Sequence, residues 1–182
     1  MNHILTNVET DRLKFRLLKP DDFDAWLPLF YEDNVADFLG MDKSLSAKQM
    51  CEKWFEKSFG RYENNLGGMN ALEDKATGKL IGQSGVLIQT VEDEQRIEVG
   101  YSILPEFWNN GYASEASSRC LEYAFENKLA STVISIVHVD NIGSEKVARN
   151  NGMSVEKSIN YHGSPVRIFS ISESRWKGLR LK

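Results

Sequence analysis

The stretch EQRIEVGYSILPEFWNNGYASEASSRCLEYAFENKL, residues 94–129, constrains the fold most, because its hydrophobic period changes once and abruptly. Ile97, Val99, Tyr101 and Ile103 alternate with other residues, which predicts a strand that Pro105 stops. Apolar or small residues then recur at Ala113, Ala116, Cys120, Leu121, Ala124, Phe125 and Leu129. That is helical spacing, with Glu115 and Lys128 placed to suit the two ends of the helix dipole. Between the two lies Trp108-Asn109-Asn110-Gly111-Tyr112-Ala113. A loop of small and amide residues entering a helix leaves backbone N–H groups without internal partners, a natural seat for a phosphate or pyrophosphate. The alternative is a plain strand-to-helix turn capped by Ser114. Neither a triphosphate loop G-x-x-x-x-G-K-[ST] nor a dinucleotide loop G-x-G-x-x-G is present.

The rest of the chain alternates strands and helices. Leu13, Phe15 and Leu17 against Arg12, Lys14 and Arg16 predict one strand over 9–19 with a wet face. Pro20-Asp21-Asp22 opens a helix expected to run through Phe23, Trp26, Leu27, Phe30 and Tyr31. Asn34 to Asp42 reads as a connection, and a second helix begins at Ser44 or Ser46 and runs to Phe59. Its aromatics are expected in the core. Strands follow over 69–73 and 80–91, joined by a turn in which Gly78 takes positive φ. The β-branched run 132–139 reads as a strand and 142–151 as a helix stopped at Asn151-Gly152. Two last strands cover 153–160 and 166–173. Strands joined partly by helices and partly by hairpins indicate a mixed α/β sheet.

At 182 residues the chain suits one domain spanning 1–182. A net charge of −4 argues against sequence-independent nucleic-acid binding. No apolar run is long enough to span a bilayer and the N-terminus lacks signal-peptide architecture, so a cytoplasmic location is expected. Cys51 and Cys120 have no metal-ligand spacing and read as reduced thiols. The basic ending, Arg175 to Lys182, is either a frayed tail or part of a dimer contact, leaving a monomer or a homodimer open.

The run EVGYSILPEFWNNGYASEA resembles the acetyl-CoA-binding motif of the GNAT N-acetyltransferases, closest to the RimJ/RimL-type branch. Trp108 stands where many members have Arg or Gln; Gly111 and Ala113 fit the motif. The opening ETDRLKFRLLK and the segment DKATGKLIGQSGV are also similar to that branch, as is Asn141 to Met153 to the family's post-strand segment. The resemblance implies a GNAT (acyl-CoA N-acyltransferase) fold, α+β, with a mixed central sheet of about seven strands flanked by about four helices. It implies acetyl-CoA as cosubstrate and a primary-amine acceptor, either a protein N-terminus or a small molecule. Cofactor contacts are then expected from Tyr101, Ser102, Ile103, Trp108, Asn109, Asn110, Gly111, Tyr112, Ala113, Ser114, Asn141 and Ser144. Asn141 equally reads as the cap of its helix, with Ser144 in the first turn.

Acetyl transfer needs a neutral amine, a donor for the oxyanion and a proton for the thiolate. An α-amine with a pKa near 8 is roughly a tenth neutral at pH 7, whereas a lysine near 10.4 is less than about a thousandth neutral. Glu98 is the candidate base, because alternation puts it on the face of Gly100 and Ser102, where there is room for a ligand. Its other reading is a carboxylate paired with Arg96 or a lysine. His138 is a second candidate base or a core histidine. Ser144 is the candidate proton donor, since Ala148 stands where many family members carry a tyrosine; Tyr112 or a water are the alternatives. The oxyanion donor is expected at the backbone N–H of Tyr101 or Ser102. An acyl-CoA-binding module without turnover remains the alternative to an enzyme.

Overall fold

The computed structural model describes residues 3–181. Its eight strands are β1 Val8–Glu9, β2 Leu13–Arg16, β3 Gly67–Asp74, β4 Leu80–Val91, β5 Glu94–Ile103, β6 Thr132–His138, β7 Ser154–Tyr161 and β8 Ser164–Ser172. They form one sheet in the order β1-β2-β3-β4-β5-β6-β8-β7. All neighbours are antiparallel except β5 and β6. The helices are α1 Phe23–Trp26, α2 Val35–Phe38, α3 Ala47–Glu63, α4 Tyr112–Glu126, α5 Ile142–Asn150 and α6 Glu173–Arg180.

The extra strand and helices have local causes. The stretch expected as one strand over 9–19 folds into the β1–β2 hairpin, closed by a Thr10 N–H to Leu13 carbonyl bond of 2.8 Å. The helix expected from Pro20 to Tyr31 breaks into a 3-10 turn, α1 and a second 3-10 turn over Leu27–Tyr31. Pro28 in that second turn has no N–H to continue an α-helical ladder. The connection from Asn34 contains the single turn α2. α3 starts at the second of the two expected serines: Ser46 accepts from Gln49 N–H while Gln49 reaches back to Ser46 N–H. Gly78 takes φ +72 in its turn, as expected.

One face of the sheet packs on α4, through Phe15, Leu72, Val99, Cys120, Leu121, Phe125 and Phe169. The other packs on α3 and the α1 region, through Trp26, Leu29, Phe30, Met50, Cys51 and Phe55. Burial pushes both thiols, Cys51 and Cys120, up to about 12, which leaves them protonated and unreactive. The basic ending is not frayed. It forms α6, whose Trp176 ring centroid lies 5.2 Å from that of Phe125 and whose Arg180 pairs with Glu122. Lys182 lies outside the described residues.

β5 and β6 pair only at Ile97–Val133 and Glu98–Ile134. Beyond that point β5 follows β4 to Ile103, while β6 follows β8 to His138. The sheet therefore parts into a wedge, and the candidate site lies in it.

Candidate active site

The loop from β5 to α4 reaches the wedge from the α4 face. Trp108 anchors it, its indole Nε1 donating to the Ile103 carbonyl at 2.6 Å while the ring stays partly exposed. Asn109 has φ +61 and Gly111 φ +80, both left-handed, so the chain turns sharply into α4. Gly111 is the N-cap, and no side chain caps the helix. Ser114 lies within the first turn and does not serve as the cap. The first-turn N–H groups of α4 thus carry the positive end of the dipole without a side-chain acceptor. A Cβ at position 111 would lie 3.6 Å from the Arg12 guanidinium, ordinary contact, so it is the backbone conformation that demands glycine here.

Arg12 braces this loop from the β1–β2 hairpin. Its Nη1 donates to the Asn110 carbonyl at 3.0 Å and its Nε to Glu115 Oε2 at 2.6 Å, while Cζ lies 4.2 Å over the Tyr112 ring. Thr10 Oγ1 and the Arg12 N–H both donate to Glu115 Oε1. These bonds, led by that of Thr10, hold the Glu115 carboxyl below its ordinary range against the opposing effect of burial.

Along β5 the two faces do different work. Leu104 N–H bonds Ile81 O on the β4 side, so the amides of Ser102 and Gly100 also turn towards β4 and those of Tyr101 and Val99 turn into the wedge. The Val99 carbonyl is met by the Ser135 hydroxyl of β6 at 2.7 Å. Of the two amides, that of Tyr101 therefore turns into the wedge and that of Ser102 does not. An amide-bearing chain laid in the wedge could pair with Tyr101 as a strand would.

Glu98 is buried on the face turned away from α4. Gln89 Nε2 donates to its Oε2 at 2.6 Å, and Ile136 N–H to its Oε1 at 3.4 Å. Arg96 instead pairs with Glu156 at 3.0 Å, so it is not Glu98's counter-ion. Burial raises the Glu98 pKa, opposed first by the Gln89 hydrogen bond. Gly100 beside it keeps the floor low, since a Cβ there would meet Leu87 and Met69 at 3.1 Å.

On the far side of the wedge, Asn141 caps α5, its Oδ1 accepting from Ser144 N–H at 2.9 Å. The Ser144 carbonyl accepts from the Tyr101 hydroxyl at 2.8 Å. The Ser144 hydroxyl makes no hydrogen bond among the described residues. The Tyr112 ring lies under the Arg12 guanidinium, and its hydroxyl adds only a minor part to the lowering of the Asp74 pKa that the Thr77 hydroxyl and N–H lead. His138 Nδ1 accepts from Asp140 N–H at 3.2 Å, which assigns the ring proton to Nε2 and occupies the lone pair a base would use.

A single cavity of about 800 Å³ joins these parts. Glu98, Tyr101, Ser102, Ile103, Trp108, Asn109, Gly111, Tyr112, Ala113, Ser114, Asn141 and Ser144 all line it, with His138. Asn110 does not; its side chain folds back to the Trp108 carbonyl at 3.0 Å. Sequence reasoning missed Gln89, Ser135 and Arg12. The register Leu87–Glu98 makes Gln89 a diagonal cross-strand neighbour of Glu98, a signal present once the hairpin is set.

A mixed sheet that parts beside an uncapped helix end leaves room for a diphosphate at that end and for an extended carrier in the opening. Residues 12–154 match the family described as acetyltransferase (GNAT) domain, and the chain belongs to that family. It is an acetyl-CoA-dependent acetyltransferase. The uncharacterized N-acetyltransferase YnaD of Bacillus subtilis is 36% identical over 150 residues, 82% of this chain and 84% of that one. An acetyltransferase structure from Agrobacterium tumefaciens superposes with a TM-score of 0.75 at 22% identity, over 93% of this chain and 95% of the other. Mycobacterium smegmatis RimJ in complex with CoA-disulfide gives 0.70 at 17%, over 89% and 82%. Spermidine N-acetyltransferase from Vibrio cholerae in complex with CoA and spermine gives 0.70 at 20%, over 92% and 99%.

Proposed function

We propose that this chain transfers acetyl to a primary amine by direct attack in a ternary complex, with Glu98 as base and Ser144 as proton donor. The observation that carries the reading is Glu98: a buried carboxyl with raised pKa at the point where β5 and β6 part, reachable from the face opposite α4. In this reading the α4 end and the loop at Gly111 hold the diphosphate, and the Tyr101 N–H meets the oxyanion. Glu98 removes the amine proton, directly or through a water, and the Ser144 hydroxyl returns a proton to the leaving sulfur. No covalent acyl-enzyme is invoked, since both cysteines are buried away from the cavity lining.

The acceptor class stays at primary amines. The fold neighbours include an enzyme named for spermidine, which supports small amines, and RimJ, the branch resembled in sequence. A screen of amines and N-terminal peptides by CoA thiol release tests the reading. Glu98→Gln and Ser144→Ala should each lower turnover while acetyl-CoA still binds; full turnover in both would remove the assigned roles. Acetyl-CoA binding without release for any amine would instead identify the silent module that Ala148, lacking a hydroxyl, leaves open.

A further inference from the structure

The α3 side of the cavity carries two cations without counter-ions of their own. Lys57 and Arg61 lie one turn apart on α3 and both line the cavity that holds Glu98. Neither makes an ion pair among the described residues. Arg61 is held in place: its Nη2 donates to the carbonyls of Leu66 and Ile88, each at 2.7 Å. Its Nε is buried with no acceptor. Its Nη1 is neither hydrogen-bonded nor enclosed among the described residues, and it is the nitrogen open to a charge-assisted bond with a carboxylate. On the α3 wall ionised Glu98 supplies one negative charge against two positive ones, so an anion is favoured there; the lining's third cation, Lys146, lies on α5.

The acids of the lining do not supply it. Asp37 pairs with Lys43 at 2.6 Å, Asp140 is 80% exposed beside His138, and Asp33 is exposed. Asp33 and Asp140 are screened by solvent, as the exposed Lys57 also is, so the half-buried Arg61 carries most of the positive field on this wall.

We propose that the acceptor carries a carboxylate a few bonds from its reacting amine, as a free amino acid does. Lys57 and Arg61 take the carboxylate while Glu98 takes the ammonium proton. A polyamine would bring a second ammonium against the two cations, and an unmodified peptide N-terminus offers a neutral carbonyl where they expect charge. The inference rests on the transferase reading above and narrows it.

The test is CoA thiol release by the intact chain with acetyl-CoA and matched acceptors: free α-amino acids, the corresponding amino-acid amides, and spermidine. The free acid should exceed its amide in kcat/KM by about tenfold or more. Lys57→Gln, a change at an exposed helix position, should cut that ratio about tenfold through KM for the acid. Amides or spermidine used as well as the acids would overturn the inference and leave the transferase reading standing. So would a Lys57→Gln variant that shifts the pH midpoint equally for acid and amide with the ratio intact, since the cations would then only tune Glu98. Absence of thiol release with any amine, peptides included, would defeat the transferase reading itself and this inference with it.

Discussion

The hydroxyl of Tyr101 donates to the carbonyl oxygen of Ser144 at 2.8 Å, so β5 and α5 are tied across the gap where the sheet parts. The bond crosses from one wall of the wedge to the other at the height of the candidate proton donor. It couples the width of the cleft to the position of Ser144.

Tyr101→Phe keeps the ring and loses the tie. The expected cost is about 1 kcal/mol in unfolding free energy, read by urea denaturation, with weaker acetyl-CoA binding by calorimetry. Unchanged values for both would show that the wedge holds its width without this bond.

Glu98 sets the pH response. Burial raises its pKa above the ordinary 4.5, and the base is the ionised form, so kcat/KM should climb as pH rises through a midpoint above 4.5. The stability it contributes runs the other way: it is present while the carboxyl is protonated and lost as pH rises through the raised folded-state value. Glu98→Gln should therefore lower turnover about 100-fold or more, abolish the acidic limb and leave the fold no less stable at neutral pH. A variant less stable at pH 7, with the acidic limb intact, would contradict both halves.

Gly111→Ala asks an alanine to hold φ +80. The strain should cost about 1–2 kcal/mol or reshape the turn, and in either case weaken acetyl-CoA binding. Wild-type affinity in this variant would show that the backbone at 111 does not hold the cosubstrate.

Arg12→Ala removes the brace between the hairpin and the loop. The side chain is 43% exposed, so the stability cost should stay below about 1 kcal/mol. The acetyl-CoA Kd should rise several-fold, because the Asn110 carbonyl and Glu115 lose the contacts that orient the turn. Affinity equal to that of the wild type would make Arg12 a bystander.

Much of this was legible in the residues. The period change between Ile103 and Ala113 marks β5, the turn and α4, which fall where the pattern puts them except at the end. There α4 stops at Glu126, and Lys128, expected in its last turn, lies beyond it at φ +54. Ser46 and Asn141 are caps because a short polar side chain before a helical run meets the N–H groups three residues on. The pattern over 9–31 misled, because it held one strand and one helix where Thr10 closes a hairpin and Pro28 interrupts a ladder.

Local chemistry of this kind acts over a few residues and can be read along the chain: periodicity, caps, the glycine turn, the uncapped end of α4. What surrounds Glu98 cannot. Gln89 reaches it through the β4–β5 register, Ile136 from across the parting sheet, and Arg61 through carbonyls of a loop and of β4. Those partners meet only once strand pairing and helix packing have set distances between segments far apart in sequence. The folded sheet alone decided how far the wedge opens and which charges share it, because desolvation and Coulomb interactions depend on separation in space.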